Sequence, residues 1–382
     1  MPILVAAVLL PLAGCRSTGV RSPFEAWLRE LASAEDVDAR VSARVAAAGG
    51  TPLRAGEEVL FLASSSRGHA PRIVGDFNAG GYATSEWLAD GSMQRIGDSE
   101  WYSLGAHVPQ DARLEYQVRW GDTAGPDPLN PDANRTFESE RSVLQGPRRG
   151  TAGPEAVDAR GALQSFPLRS TVRDNERSVT VYTPAGYDPN QAPLPTLYVK
   201  DGTRFLENIE LPSILDALIG KGSIRPLVVV FIDPIERGLE YGTSGDYRRL
   251  VVEELVPEVE RRFACGGAPD RRCLFGASRG GLAVIDLMAR HPEVFGYCAA
   301  MSPALSPLPI VEELSTSERL AGEFLVLISR YDSPRLLADG EALVQALKSR
   351  TDRVQAVEMP IDHSPLGWKA WMDVVLASWS AL

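Results

Sequence analysis

The stretch CLFGASRGGLAV, Cys273 to Val284, is an apolar run that breaks at a glycine, presents one serine, and resumes behind two more glycines. Gly276-Ala277-Ser278-Arg279-Gly280 fits the pattern G-x-S-x-G, placed after a strand pattern and before an amphipathic helix pattern. In that context the pentapeptide forms a sharp, strained turn that exposes the serine hydroxyl. Its neighbours must be small if strand and helix are to pass closely. The same turn aims the Arg279 N–H and the positive end of the helix at a carbonyl oxygen that gains charge under attack. The chemistry implied is acyl transfer on Ser278.

A serine hydroxyl needs a base, and histidine is the usual one. The chain has four histidines. His69 and His107 lie in a β-rich half of the chain, far from the serine. His291 ends the helix pattern after Ser278, where a histidine meets terminal carbonyls. His363 follows the last strand pattern, VQAVEMPID, and precedes the C-terminal helix, where an α/β-hydrolase places its base. The acid should stand between serine and histidine in chain order. Asp332, at the carboxyl end of FLVLISRYD, is the expected acid; Asp339 falls inside a helix pattern, and Asp362 adjoins His363 too closely in sequence for an easy side-chain approach. The second oxyanion donor is expected from Asp201-Gly202-Thr203, the loop after TLYVK, with the Thr203 N–H as donor and a plain turn as the alternative.

These residues need a scaffold, and the pattern from Ser165 onward supplies one. Near-continuous apolar runs (SVTVYTP, TLYVKDG, LVVVFIDP, RCLFGAS, GYCAAMSP, FLVLISRYD, VQAVEMP) alternate with helical stretches such as YRRLVVEELVPEVERRF and GWKAWMDVVLASW. This predicts an α/β fold, a mostly parallel α/β-hydrolase sheet with helices on both faces, over 165–382. Chemistry then gathers at the carboxyl ends of the strands.

Upstream the pattern changes. EEVLFLAS, PRIVGDF, EWYSLGAHV and RLEYQVRW, separated by Gly, Pro and Asp turns, predict a separate all-β, immunoglobulin-like sandwich over 56–145. The stretch from Gly121 to Gly161 lacks periodicity and reads as loops or linker, with the linker proper over 146–164. Residues 16–55 read as a polar spacer followed by one or two short helices.

The first fifteen residues, MPILVAAVLLPLAGC, form a short apolar segment read as an export signal. Leu12-Ala13-Gly14-Cys15 resembles a lipoprotein cleavage box, with Cys15 as the lipid-bearing residue; a leader with an incidental cysteine is the alternative. The expected location is therefore exported and anchored to a bacterial membrane, periplasmic or outer. Export permits a disulfide between Cys265 and Cys273, which flank the loop GGAPDRR, two buried thiols being the alternative. Cys298 reads as a core residue. No Cys/His cluster has metal-ligand spacing, so no metal is expected. A net charge of −11 argues against nucleic-acid binding.

Taken together, the motifs resemble the enterochelin esterases and their esterase relatives. SMQRIGDSEWY, DARLEYQVRW and PDPLNP are similar to the N-terminal domain of those enzymes, and GDFN to related glycan-binding modules. LYVKDG, DPIERGLEY, EELVP, GASRGG, ARHPEVFG and His363 with Trp368 behind it are similar to the hydrolase domain. The resemblance implies a Ser278-His363-Asp332 triad, an acyl-enzyme and no cofactor. It also implies that Arg237 and Glu240 hold a loop, with substrate contact as the alternative; Arg204 and Trp368, with Arg237, are the candidate substrate contacts. Two departures bear on the substrate: IDHSPLGWKAW lacks paired glycines before the histidine, and Arg279 stands where a smaller residue is frequent.

Loops around the serine carry Lys200, Arg204, Arg279, Arg330, Arg335 and Lys369, an electropositive set suited to an anionic ester such as a ferric siderophore. The alternative is that several of them pair with nearby carboxylates. The substrate expected is a small-molecule siderophore ester, or else an acetyl or feruloyl ester on polysaccharide. A third reading is a lipid-anchored binding protein that has lost turnover. Trp87, Trp101 and Trp120 read as sandwich core or as sugar-stacking residues.

Overall fold

Eight strands form one sheet: β1 (Ala162–Ser170), β2 (Asn175–Thr183), β3 (Thr196–Lys200), β4 (Val228–Ile232), β5 (Arg272–Ala277), β6 (Tyr297–Met301), β7 (Glu323–Ser329) and β8 (Val354–Met359). Their order is β1-β2-β4-β3-β5-β6-β7-β8. The first three pair antiparallel and all the rest parallel. The computed structural model describes residues 23–65, 69–75, 91–135, 140–145, 160–242, 244–306, 309–316 and 320–380. Cys15, the 1–15 segment, Trp87 and most of the expected linker lie outside the described residues.

Every residue of β3, β4 and β6 is buried, as strands covered on both faces must be. One face packs on the helices Gly245–Arg249, Val256–Arg262 and Arg279–Arg290, and the other on Leu211–Gly220 and Met372–Ser380. The expected long helix YRRLVVEELVPEVERRF continues through a π turn at Leu250–Leu255, just ahead of Pro257. Proline has no N–H and its ring crowds the preceding carbonyl, so the widened turn accommodates it. Strand β1 is not among the strands that the sequence pattern predicts. Its first four residues are exposed and the rest alternate, with Pro167 in the middle; such a strand survives only at a sheet edge, where a missing N–H is harmless.

The β-module has two antiparallel sheets. One runs Leu53–Ala55, Glu58–Ser64, Trp101–His107, Gln94–Arg95; the other runs Pro71–Gly75, Arg113–Trp120, Glu140–Gln145, Ala133–Arg135, with Thr123–Gly125 also paired to Arg113–Trp120. The strands after Gly121 replace part of the expected loop. Strand Glu58–Ser64 is buried on both faces. Val59, Phe61 and Ala63 meet Leu114, Tyr116 and Val118 of the opposite sheet, while Leu60 and Leu62 meet Leu31, Val41 and Val45 of the helices Glu25–Ala32 and Val37–Ala48. The helices expected within a spacer are thus part of the module's packing.

The PDPLNP stretch acquires a physical role. Asp127 is buried, accepts hydrogen bonds from Thr51 Oγ1 (2.7 Å) and Tyr116 Oη (2.8 Å), and takes its own N–H to Ser142 Oγ (2.8 Å). Asn130 completes the node by donating to Tyr116 Oη and the Val143 carbonyl. Buried polar groups need such partners.

The expected disulfide is corrected. Cys265 and Cys273 are free and buried, because they belong to cores on opposite faces of the sheet. Side chains separated by a sheet cannot reach the short Sγ–Sγ distance a bridge requires.

Candidate active site

Ser278 follows β5 with φ 55° and ψ −123° and caps the helix Arg279–Arg290. A non-glycine residue in this region is strained and persists only where its surroundings fix it. Here they do: the Ser278 N–H donates to the Met301 carbonyl (2.9 Å), and its carbonyl accepts from Leu282 and Ala304. The glycines of the opening motif are steric requirements. A Cβ on Gly276 would lie 2.3 Å from the Gly280 carbonyl oxygen, and one on Gly281 would lie 3.1 Å from Pro303. At Gly276 strand and helix cross with no room for a methyl group, while at Gly281 Pro303 would have to give by a few tenths of an ångström.

Ser278 Oγ is 3.0 Å from His363 Nε2, and His363 Nδ1 is 2.6 Å from Asp332 Oδ2. The three residues come from the carboxyl ends of β5, β7 and β8, as the sheet topology requires. An ionised carboxylate only accepts, so Nδ1 carries the ring proton and Nε2 presents its lone pair to the serine hydroxyl. Asp332 Oδ1 accepts the Ser333 N–H at 2.7 Å. The Asp332 side chain is 2% exposed and that of His363 9%, which keeps water from competing for either bond. The sequence rivals are elsewhere: Asp362 turns to the Glu115 N–H (2.6 Å), and Asp339 lies within the helix Pro334–Lys348.

Trp368 is corrected as a substrate contact. It is buried at 1% exposure, packs edge-on against the His363 ring with centroids 5.0 Å apart, and donates Nε1–H to Ser302 Oγ (3.3 Å). Ser302 in turn meets Ser329 Oγ at 2.5 Å, three residues before Asp332. The indole therefore walls the imidazole from behind. No sequence signal marked the Ser302–Ser329 contact, because it joins two strand ends by tertiary proximity alone.

The Arg279 N–H lies in the first turn of its helix, where N–H groups have no intrahelical acceptor. Thr203 is corrected as the second donor: its N–H points to the Asp233 carboxylate, 3.1 Å from each oxygen, and its hydroxyl donates there too. Asp233, at the end of LVVVFID, was the missed partner. The neighbouring Asp201 adopts a left-handed conformation (φ 54°), donates its N–H to Tyr241 Oη, and receives a two-pronged bond from Arg237, both distances 2.7 Å. Arg237 thus holds the loop.

Of the six cations expected around the serine, Lys200 is fully buried. Arg330 pairs with Asp111 and Glu358, and Lys369 with Glu210. Arg204 and Arg279 are half-buried and Arg335 is exposed. The local positive field is smaller than the sequence count suggests.

The family model Esterase matches residues 170–375. An endo-1,4-β-xylanase/feruloyl esterase of Xylanibacter ruminicola is 26% identical over 37% of this chain and 22% of its own length. The iron(III) enterobactin esterase of Dickeya dadantii is 31% identical over 48% of this chain and 45% of its own. The matches thus span less than half the length of either relative. The crystal structure of ferric enterobactin esterase from Salmonella typhimurium superposes with a TM-score of 0.75 at 17% identity, covering 90% of this chain and 98% of that one. That likeness extends the shared fold through the β-module. The chain belongs to the Esterase family, enzymes of the α/β-hydrolase fold.

Proposed function

We propose that the protein hydrolyses a carboxylic ester through an acyl-enzyme on Ser278. His363 takes the hydroxyl proton as Oγ attacks the ester carbonyl, then gives it to the departing alcohol; water attacks the acyl-enzyme with His363 again as base, releasing the acid and restoring the serine. Asp332 fixes the ring tautomer and stabilises the imidazolium. The Arg279 N–H and the helix N-terminus stabilise the tetrahedral oxyanion. The observation that carries this reading is the continuous hydrogen-bonded line from Ser278 through His363 to Asp332 across three strand ends.

The favoured substrate is a siderophore ester. Similarity to two enterobactin esterases, one of them matched through both domains, supports it. A feruloyl or acetyl ester on polysaccharide is the second reading, supported by the match to a xylanase/feruloyl esterase; in that case the β-module, read as immunoglobulin-like, would hold the glycan. Cys15 is read as a lipid anchor from the leader motif alone. Parallel assays on a catecholate trilactone and on feruloylated xylan, using protein beginning at Arg16, separate the substrates. Absence of turnover on both, with no fluorophosphonate labelling of Ser278, would leave only the binding-protein reading.

A further inference from the structure

We propose that the β-module is a clamp that positions both the acid and the base of the site, with Asp111 of the module and Asp362 of the hydrolase domain as the positioning residues. The inference rests on the ester-hydrolase reading of Ser278, His363 and Asp332.

The contact is made by one short segment, residues 111–115, which leads into strand Arg113–Trp120. The Arg113 N–H donates to the Pro360 carbonyl (2.9 Å), and Arg113 forms a parallel bridge with Ile361. The Glu115 N–H donates to Asp362 Oδ2 at 2.6 Å. Asp362 is 0% exposed and immediately precedes His363. A short bond from an N–H to a buried carboxylate is among the stronger hydrogen bonds. The loop carrying the imidazole is therefore hydrogen-bonded to the module at the Pro360 carbonyl and the Asp362 carboxylate.

The acid is held from the same segment. Tyr331, immediately before Asp332, donates its hydroxyl to Asp111 Oδ1 (3.0 Å), and Arg330 donates to Asp111 Oδ2 (3.0 Å). The Tyr331 side chain packs in the core between the two sheets of the β-module. The two loops are also tied to each other, Arg330 N–H to the Met359 carbonyl and Tyr331 N–H to the Ile361 carbonyl. Three residues of one five-residue segment, Asp111, Arg113 and Glu115, thus reach both neighbours of the His363–Asp332 pair. Angstrom-scale displacement of such a pair is costly to the rate.

The test uses the full chain, p-nitrophenyl acetate as ester, and fluorophosphonate titration to count reactive sites. Asp362→Ala is expected to lower kcat per titrated site on the order of 10–100-fold with KM unchanged. Asp362→Asn, which keeps an acceptor for the Glu115 N–H, should recover most of that loss. Asp111→Ala, at a half-exposed position, should show a smaller loss of the same kind. Wild-type turnover per titrated site in Asp362→Ala overturns the clamp even if the protein melts earlier. The low-field NMR signal of the His363 Nδ1 proton reads the geometry without turnover. If it shifts in Asp362→Ala and returns in Asp362→Asn while the wild type hydrolyses nothing, the clamp stands and the esterase reading fails.

Discussion

Arg177 and Glu240 meet in a two-pronged ion pair, 2.9 and 3.0 Å, with side chains 3% and 0% exposed, and Lys200 is buried beside them. The Lys200 Nζ has no hydrogen-bond partner among the described residues and lies 5.1 Å from the centre of the Tyr247 ring. Burial first, and the Arg177 charge second, lower its pKa from 10.5 to about 7, against the opposing pull of Glu240 and Asp201. Between those values the unfolded chain holds the proton and the folded chain does not. Stability therefore rises as pH increases from about 7 to 10.5, and below 7 the cost of burying the charged lysine is at its full size. Lys200→Met should flatten that slope and raise stability at pH 7 by roughly 1–4 kcal/mol. Urea unfolding at pH 7 and pH 9.5 measures both effects, and parallel slopes in the two proteins would contradict them.

Substituting the three aligned side chains separates chemistry from packing. Ser278→Ala should abolish fluorophosphonate labelling, and Asp332→Asn should lower kcat about 10⁴-fold by releasing the wrong tautomer. Steady-state kinetics on a p-nitrophenyl ester is the measurement. A tenfold or smaller loss in Asp332→Asn would mean that the imidazole is held by Trp368 and its loop instead.

Gly276→Ala places a methyl group 2.3 Å from the Gly280 carbonyl oxygen. Backbone cannot yield as a side-chain tip does, so the variant should lose at least about 1–3 kcal/mol of stability and, with the serine displaced, most of its activity. Calorimetry beside an ester assay checks both; an unaltered melting temperature refutes the close crossing.

Because Cys265, Cys273 and Cys298 are free and buried, dithiothreitol should leave the melting temperature of protein beginning at Arg16 unchanged. Thiol titration in guanidinium should find three groups, and in native buffer almost none. Detection of a single thiol after unfolding would restore the bridge.

The approach of Ser278, His363 and Asp332 to one another was legible where position along the sheet decides it. Ser278, Asp332 and His363 each follow a strand of the parallel sheet, and parallel strand ends converge whatever the intervening helices do. The fully buried strands were legible for the same reason. What escaped were short or half-exposed strands, β1 and those after Gly121, whose pairing comes from neighbours and not from their own periodicity. Charge was the least legible property: Lys200 and Arg330 look alike in sequence, yet one is entombed beneath the site and the other bonded to the β-module. Thr203 and Trp368 were misread because hydrogen-bond partners 30 and 66 residues away, Asp233 and Ser302, decide what their donors face.

The double-sided strand Glu58–Ser64 has a practical corollary for anyone trimming the protein. Cutting the chain at residue 56, where the sheet pattern begins in sequence, would strip the two short helices and leave Leu60, Leu62, Ile96 and Trp101 facing water as one greasy surface. A soluble recombinant fragment should therefore start no later than Phe24, which itself is tucked into that layer.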